Sequence, residues 1–226
     1  NGFRLSGKKQ FVVDGGLADR LLVLARTSDG LTLFDIPSDR AGISRAASNM
    51  IDARDAARIT FDDVEVTGED VLGAVGNAMV VLRPALNAGQ AALAAELTGL
   101  SAGAFGMTVG YLKERKQFGK ALADFQGIQF QVAQAATELE AARLMVYNAA
   151  RLKDAGQDIA REGAMAKLYS SQMAERVTSL CVELFGGYGY TREYPVEKFY
   201  RDAKIGTIYE GTSNMQLNTI AKAVLR

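Results

Sequence analysis

Apolar and polar residues alternate over the first third of the chain, and apolar residues recur every three or four positions thereafter. Short runs at 11–13, 20–25, 31–34 and 57–61 carry the two-residue period of half-buried strands. Turn signals separate them: Asp14-Gly-Gly16, Ser28-Asp-Gly30 and Pro37-Ser-Asp39. Ser6-Gly7 reads as a hairpin tip. This spacing predicts an antiparallel β-barrel or sandwich segment over residues 1–72.

From about Gly76 the period becomes helical. Leu86, Leu93, Leu97, Leu100, Ala104, Met107 and Tyr111 share one face of a long helix entered near Pro84. Gly99, Gly103, Gly106 and Gly110 cost that helix propensity and point to close approach of another helix or, less commonly, a ligand. A second helix begins at Asp124 as N-cap, buries a stripe from Ile128 through Val132, Ala135, Leu139, Ala142 and Val146 to Ala149, and ends at Gly156. A third runs over 158–185, with Met173, Val177, Leu180 and Leu184 inward, and stops at Gly186-Gly187. A fourth covers 214–225, with Thr212 and Ser213 as capping residues and Leu217, Ile220, Ala221 and Val224 on one face. The prediction for 73–226 is a four-helix bundle, and the fold class is α+β.

Composition narrows the chemistry. With 26 basic and 26 acidic residues the formal net charge is zero, which argues against a nucleic-acid partner or an anionic membrane surface. There is no histidine and one cysteine, Cys181, which falls inside a helical pattern. The usual zinc and copper ligand sets, the Ser-His-Asp and Cys-His triads, and any internal disulfide are thereby removed. No metal site is expected, and a reducing compartment suits the chain. Any general base must be Asp, Glu, Lys or Tyr. No uninterrupted apolar run reaches the length of a membrane span. The chain opens on Asn1 in what reads as mid-strand, so it is expected to be the C-terminal part of a longer protein.

The densest chemical signal lies near the C-terminus, in FGGYGYTREYP (185–195) and YRDAKIGTIYEGTS (200–213). Glu210 sits directly before a helix start, where unpaired N–H groups make a ready anion site. It reads either as a general base or as a carboxylate favoured by the helix macrodipole. Arg115, in Arg115-Lys-Gln-Phe-Gly119, reads as a helix C-terminal dipole partner or a phosphate ligand. Gly186, Gly187 and Gly189 cap a helix or let a ligand approach backbone; they follow a helix, so this is not a dinucleotide-binding fingerprint. Arg192-Glu193 and Arg201-Asp202 read as structural ion pairs or solvated charges, Tyr209 as pocket or core, and Cys181 as an inert core residue.

Together IYEGTS, RKQFG and FGGYGY resemble the C-terminal signature of the acyl-CoA dehydrogenase family, most closely from Tyr111 onward. The resemblance implies an FAD flavoenzyme that converts an acyl-CoA thioester to a trans-2-enoyl-CoA. Glu210 is then the α-proton base and flavin N5 the hydride acceptor. It implies that Arg115 holds the flavin pyrophosphate of a neighbouring subunit, that Phe118 packs near the cofactor, and that Gly186 and Gly187 let backbone approach the adenosine–pyrophosphate. Thr212 and Asn214 match cofactor-contacting positions, with Asn214 where glutamine is frequent. An electron-transfer flavoprotein partner, a homotetramer, and a cytoplasmic or, in a eukaryote, mitochondrial matrix location follow from the same resemblance.

Departures from the pattern are specific. Phe11 stands where a tryptophan usually packs on the flavin. Val13 replaces a hydroxyl residue, leaving only its backbone N–H to serve the flavin. Glu183 occupies a glutamine position near the adenosine end. The helix around 86–90 lacks an expected arginine, and Ser48-Asn-Met-Ile-Asp-Ala53 is atypical. These leave room for a branched, cyclic or sterol-derived acyl group. Two alternatives share the resemblance: an acyl-CoA oxidase-type relative, and a non-catalytic partner subunit of a hetero-oligomer.

Overall fold

The computed structural model describes residues 2–225, which divide into two compact units between Arg83 and Pro84. In the first, strand β1 (Gly2–Val13) pairs antiparallel with β5 (Ala56–Thr67), which pairs on its other edge with β4 (Ile43–Ala47). Strands β2 (Arg20–Thr27) and β3 (Gly30–Pro37) form a separate hairpin, in register at Val23↔Phe34 and Thr27↔Gly30. Leu5, Val23, Phe34, Ile36, Ile59, Val64 and Val66 from both sheets meet in one core, as alternating inward residues should. Ser6-Gly7 is not a hairpin tip. It lies within β1, where the register slips between Leu5 and Gly7: two steps of β1 face three of β5, from Val64 to Phe61, so the extra residue sits on β5 beside Asp63, itself at φ 48°. Strands β1 and β5 run well past the short apolar runs at 11–13 and 57–61: Leu5 of β1 and Val64 and Val66 of β5 alternate with polar residues and join the same core.

The second unit is helical and makes the chain α+β. Its helices are α1 (Met79–Glu114, whose first turn belongs to the β-rich unit), α2 (Gln126–Asp154), α3 (Ala160–Phe185), α4 (Val196–Lys204) and α5 (Ser213–Val224). Pro84 lies inside α1 and not at its entry. By length and composition alone α1 could cross a bilayer, with a mean hydropathy of 1.2 over its most apolar stretch. Its buried residues are nonetheless core residues: Ala94 meets Val146 of α2 and Ala166 of α3, and Ala104 joins Leu139, Met173 and Cys181. Helix α3 packs on α2, α4 and α5.

Four details differ from the sequence expectation. The N-cap of α2 is Phe125, while Asp124 closes a short 3₁₀ turn before it. Helix α4 adds a fifth helix. The glycine stripe of α1 has no internal neighbour: a Cβ on Gly99, Gly106 or Gly110 would meet nothing within 4 Å, and one on Gly103 only Phe199 at 3.8 Å. The apolar face of α5 is not buried in this chain either. Leu217 and Val224 are exposed, and the side chain that points inward is Gln216.

Candidate active site

Glu210 stands on a turn between α4 and α5. Ile208 and Tyr209 donate their N–H groups to the Ile205 carbonyl, which tightens the chain after a 3₁₀ segment at Ile205–Thr207. Gly206 lets this segment lie against α1: a Cβ there would come within 2.8 Å of Leu97. Tyr209 packs with Leu93, Leu97, Ala174 and Ala203. Glu210 then adopts φ 54° and Gly211 φ 89°, two left-handed residues in succession. Glycine takes that conformation freely, whereas glutamate is disfavoured there and persists only where its surroundings enforce it.

Two buried side chains enforce it. Lys167 of α3 is fully buried, and its Nζ donates to the Gly211 carbonyl at 2.6 Å. Gln216 of α5, 1% exposed, donates from Nε2 to the Glu210 carbonyl at 3.1 Å and to the Gly211 carbonyl at 3.0 Å. The Glu210 residue itself is exposed. Burial pushes the Lys167 ammonium below the ordinary lysine range, and the Glu210 carboxylate opposes that shift. The two charges therefore sense each other. Neither Lys167 nor Gln216 was singled out from the sequence. The available signal was a lysine on the inward face of α3, in helical phase with Ala174 and Cys181.

A second set of predicted residues converges elsewhere in the same unit. A cleft of about 600 Å³ is lined by Arg115, Glu183, Gly186 and Gly187, with Tyr111, Gln117, Leu122, Ile128, Phe185, Tyr188 and Thr191. Its aromatic wall is well braced: the Tyr111 and Phe185 rings stack at 4.2 Å and 16°, and Tyr194 packs on both. Gly186 ends α3 with φ 62°. A Cβ on Gly186 or Gly187 would meet nothing within 4 Å, so backbone is presented to open space. Gly189 is different, because a Cβ there would lie 2.2 Å from the Val182 carbonyl oxygen. Its role is packing.

The remaining candidates are dispersed. Phe118 is 92% exposed at the tip of a hairpin formed by β6 (Lys116–Gln117) and β7 (Lys120–Ala121). Phe118 and Gly119 both have positive φ there, as a two-residue hairpin turn demands. Phe118 touches Phe125 edge-on and does not line the cleft. Thr212 and Asn214 are exposed at the start of α5, and the Thr212 side chain makes no capping bond. Phe11 and Val13 belong to the β-rich unit; Phe11 is 66% exposed and, like Glu210, left-handed at φ 54°. Arg201 and Asp202 pair with Glu197 and Lys198 along α4, not with each other.

Residues 79–225 match the family model described as the C-terminal domain of acyl-CoA dehydrogenase. The chain belongs to the acyl-CoA dehydrogenase family. It is 47% identical to the mitochondrial short/branched chain specific acyl-CoA dehydrogenase of Rattus norvegicus, over 99% of this chain and 54% of that protein. It is 37% identical to the caffeyl-CoA reductase-Etf complex subunit CarC of Acetobacterium woodii, over 99% of this chain and 61% of the relative. Among solved structures, butyryl-CoA dehydrogenase from Megasphaera elsdenii superposes with a TM-score of 0.95 at 37% identity, covering 100% of this chain and 61% of that one. The chain thus spans little more than half the length of these acyl-CoA dehydrogenase relatives.

Proposed function

We propose that the protein carrying this chain is an FAD-dependent acyl-CoA dehydrogenase in which Glu210 removes the α-proton of an acyl-CoA thioester, the product being a trans-2-enoyl-CoA. The observation that carries this reading is the conformation of Glu210. An exposed glutamate is held in a left-handed turn by two buried side chains, a costly arrangement if the residue merely decorated a helix start. An α-C–H beside a thioester is a weak acid, so the carboxylate must be fixed near it while the carbonyl oxygen is polarised. The Glu210 backbone N–H, set by the same turn, is the donor assigned to that oxygen.

The chain's own residues fit the cofactor. The backbone of Gly186 and Gly187 opens onto free space where a Cβ would intrude, which suits a phosphate or ribose passing close by. Arg115 on the same cleft offers a guanidinium for a pyrophosphate. Glu183, also on the cleft, must turn its carboxylate away from that phosphate. When bound, FAD supplies the acceptor for the β-hydrogen as hydride.

An acyl-CoA substrate of short or branched chain accords with the rat relative's name, and an electron-transfer flavoprotein partner with that of the Acetobacterium protein. That second name also favours a reading in the reductive direction, in which the same Glu210 returns the α-proton. Exposed Phe130, Leu144 and Tyr147 on α2 and Leu217 on α5 support assembly into a homo-oligomer, proposed as a tetramer. A bacterial cytoplasm or a mitochondrial matrix is the matching location.

The test is anaerobic bleaching of the full-length flavoprotein by a panel of acyl-CoA esters, beside Glu210→Gln. The wild type should bleach. The variant should keep its FAD, bind the ester and lose at least about three orders of magnitude in bleaching rate. Bleaching of the variant at the wild-type rate would assign the base elsewhere.

A further inference from the structure

We propose that Lys167 is a positioning residue for Glu210: its ammonium, sealed in the helical interior, grips the Gly211 carbonyl and so sets the direction in which the Glu210 carboxylate and N–H are presented. The inference deepens the dehydrogenase reading and rests on it.

Lys167 is among the largest fully buried side chains of the molecule, on a helix face otherwise occupied by Gly163, Ser170, Ala174 and Val177. A methionine would fill similar space without taking a charge out of water, and an ammonium is tolerated in such a place only if strongly bonded. Its hydrogen bond does not serve its own helix. It crosses to the backbone of the residue directly after Glu210, at 2.6 Å.

The turn it reaches needs such restraint. Glu210 and Gly211 are both left-handed, and a non-glycine residue there reverts unless something holds it. Gln216 grips that Gly211 carbonyl and the Glu210 carbonyl from α5, and its own Oε1 is left buried with no hydrogen-bond partner. Gly211 must be glycine twice over: φ is 89°, and a Cβ would lie 2.7 Å from the Gln216 Nε2. Two buried donors from two helices thus converge on two successive carbonyls. The nearby Glu210 carboxylate also favours the charged ammonium against its burial, so the clamp and the proposed base support each other.

Two readings of Lys167→Met in the full-length flavoprotein decide the matter. The first is hydrogen–deuterium exchange. Amides at 208–213 should exchange about tenfold faster or more, while the rest of α3 keeps its protection. The second is single-turnover flavin bleaching. The limiting rate should fall about 30-fold or more, while the acyl-CoA concentration giving half that rate moves less than about threefold. FAD content should stay at wild-type level. Unchanged exchange in the turn, or a loosened turn with a limiting rate within about threefold of wild type, overturns the proposal. If Lys167→Met fails to fold or to hold FAD, Gln216→Leu loosens the same turn without touching a charge, and the same two outcomes decide. If no acyl-CoA bleaches the wild type, the dehydrogenase reading fails on its own. Exchange in the turn then supports or sinks the clamp alone.

Discussion

Gly187 and Gly189 are two residues apart, and their surroundings assign them opposite jobs. A methyl group on Gly187 enters empty space, whereas one on Gly189 runs into the Val182 carbonyl and the Phe185 Cβ. Gly189→Ala should therefore destabilise the unit by about 1–3 kcal/mol through a forced shift of the α3 C-terminus. Gly187→Ala should leave stability within about 0.5 kcal/mol but release FAD more readily from the full-length protein. Thermal unfolding and retained FAD after gel filtration check the pair. The glycines were visible in the sequence as one group. Only packing separates the glycine that faces open space from the one pressed against the end of α3.

Among the elements, α3 carries the organising role. Its inward face meets α2, α4 and α5, and Met173 at its centre is fully buried. Met173→Ala should cost about 2–5 kcal/mol, measured by denaturant unfolding, because neighbours on several sides cannot all collapse into the space. The long helices were legible because their apolar period repeats over many turns. Helix α4 was not, because its nine residues are largely charged and held by Glu197–Arg201 and Lys198–Asp202 pairs along its surface. Strand β4 has four exposed residues out of five and left no alternation to read. The stripe on α5 was visible as an apolar face, yet Leu217 and Val224 on it are exposed, since period reports a face and not what covers it. For the same reason the sequence pointed to Glu210 yet missed Lys167 and Gln216. Their importance lies in which carbonyls they reach across the chain.

For the molecule as a whole, acid sensitivity has an identifiable source in the β-rich unit. Arg40 grips Asp70 with two bonds, Nη1 to Oδ2 at 2.7 Å and Nη2 to Oδ1 at 2.8 Å, and Thr67 donates its N–H to the same carboxylate. The Arg40 bonds hold the Asp70 pKa below the ordinary carboxylate range, outweighing its partial burial. A depressed carboxylate pKa stabilises the fold above the unfolded-state value and loses that contribution as pH falls through the folded one. Melting temperature should therefore drop from about pH 4 downward. Asp70→Asn should be less stable than wild type at neutral pH and lack this component of the acid slope. Glu197, lowered chiefly by Arg201, acts in the same direction on α4.

The single sulfhydryl has a practical corollary. Cys181 is 1% exposed, and burial raises its pKa against a smaller opposing effect from Thr108. The surface of this chain is therefore a blank page for thiol chemistry. Within these 226 residues, a cysteine installed in place of the solvent-facing Phe118 would be the one exposed attachment point for a fluorophore or spin label, Cys181 being buried.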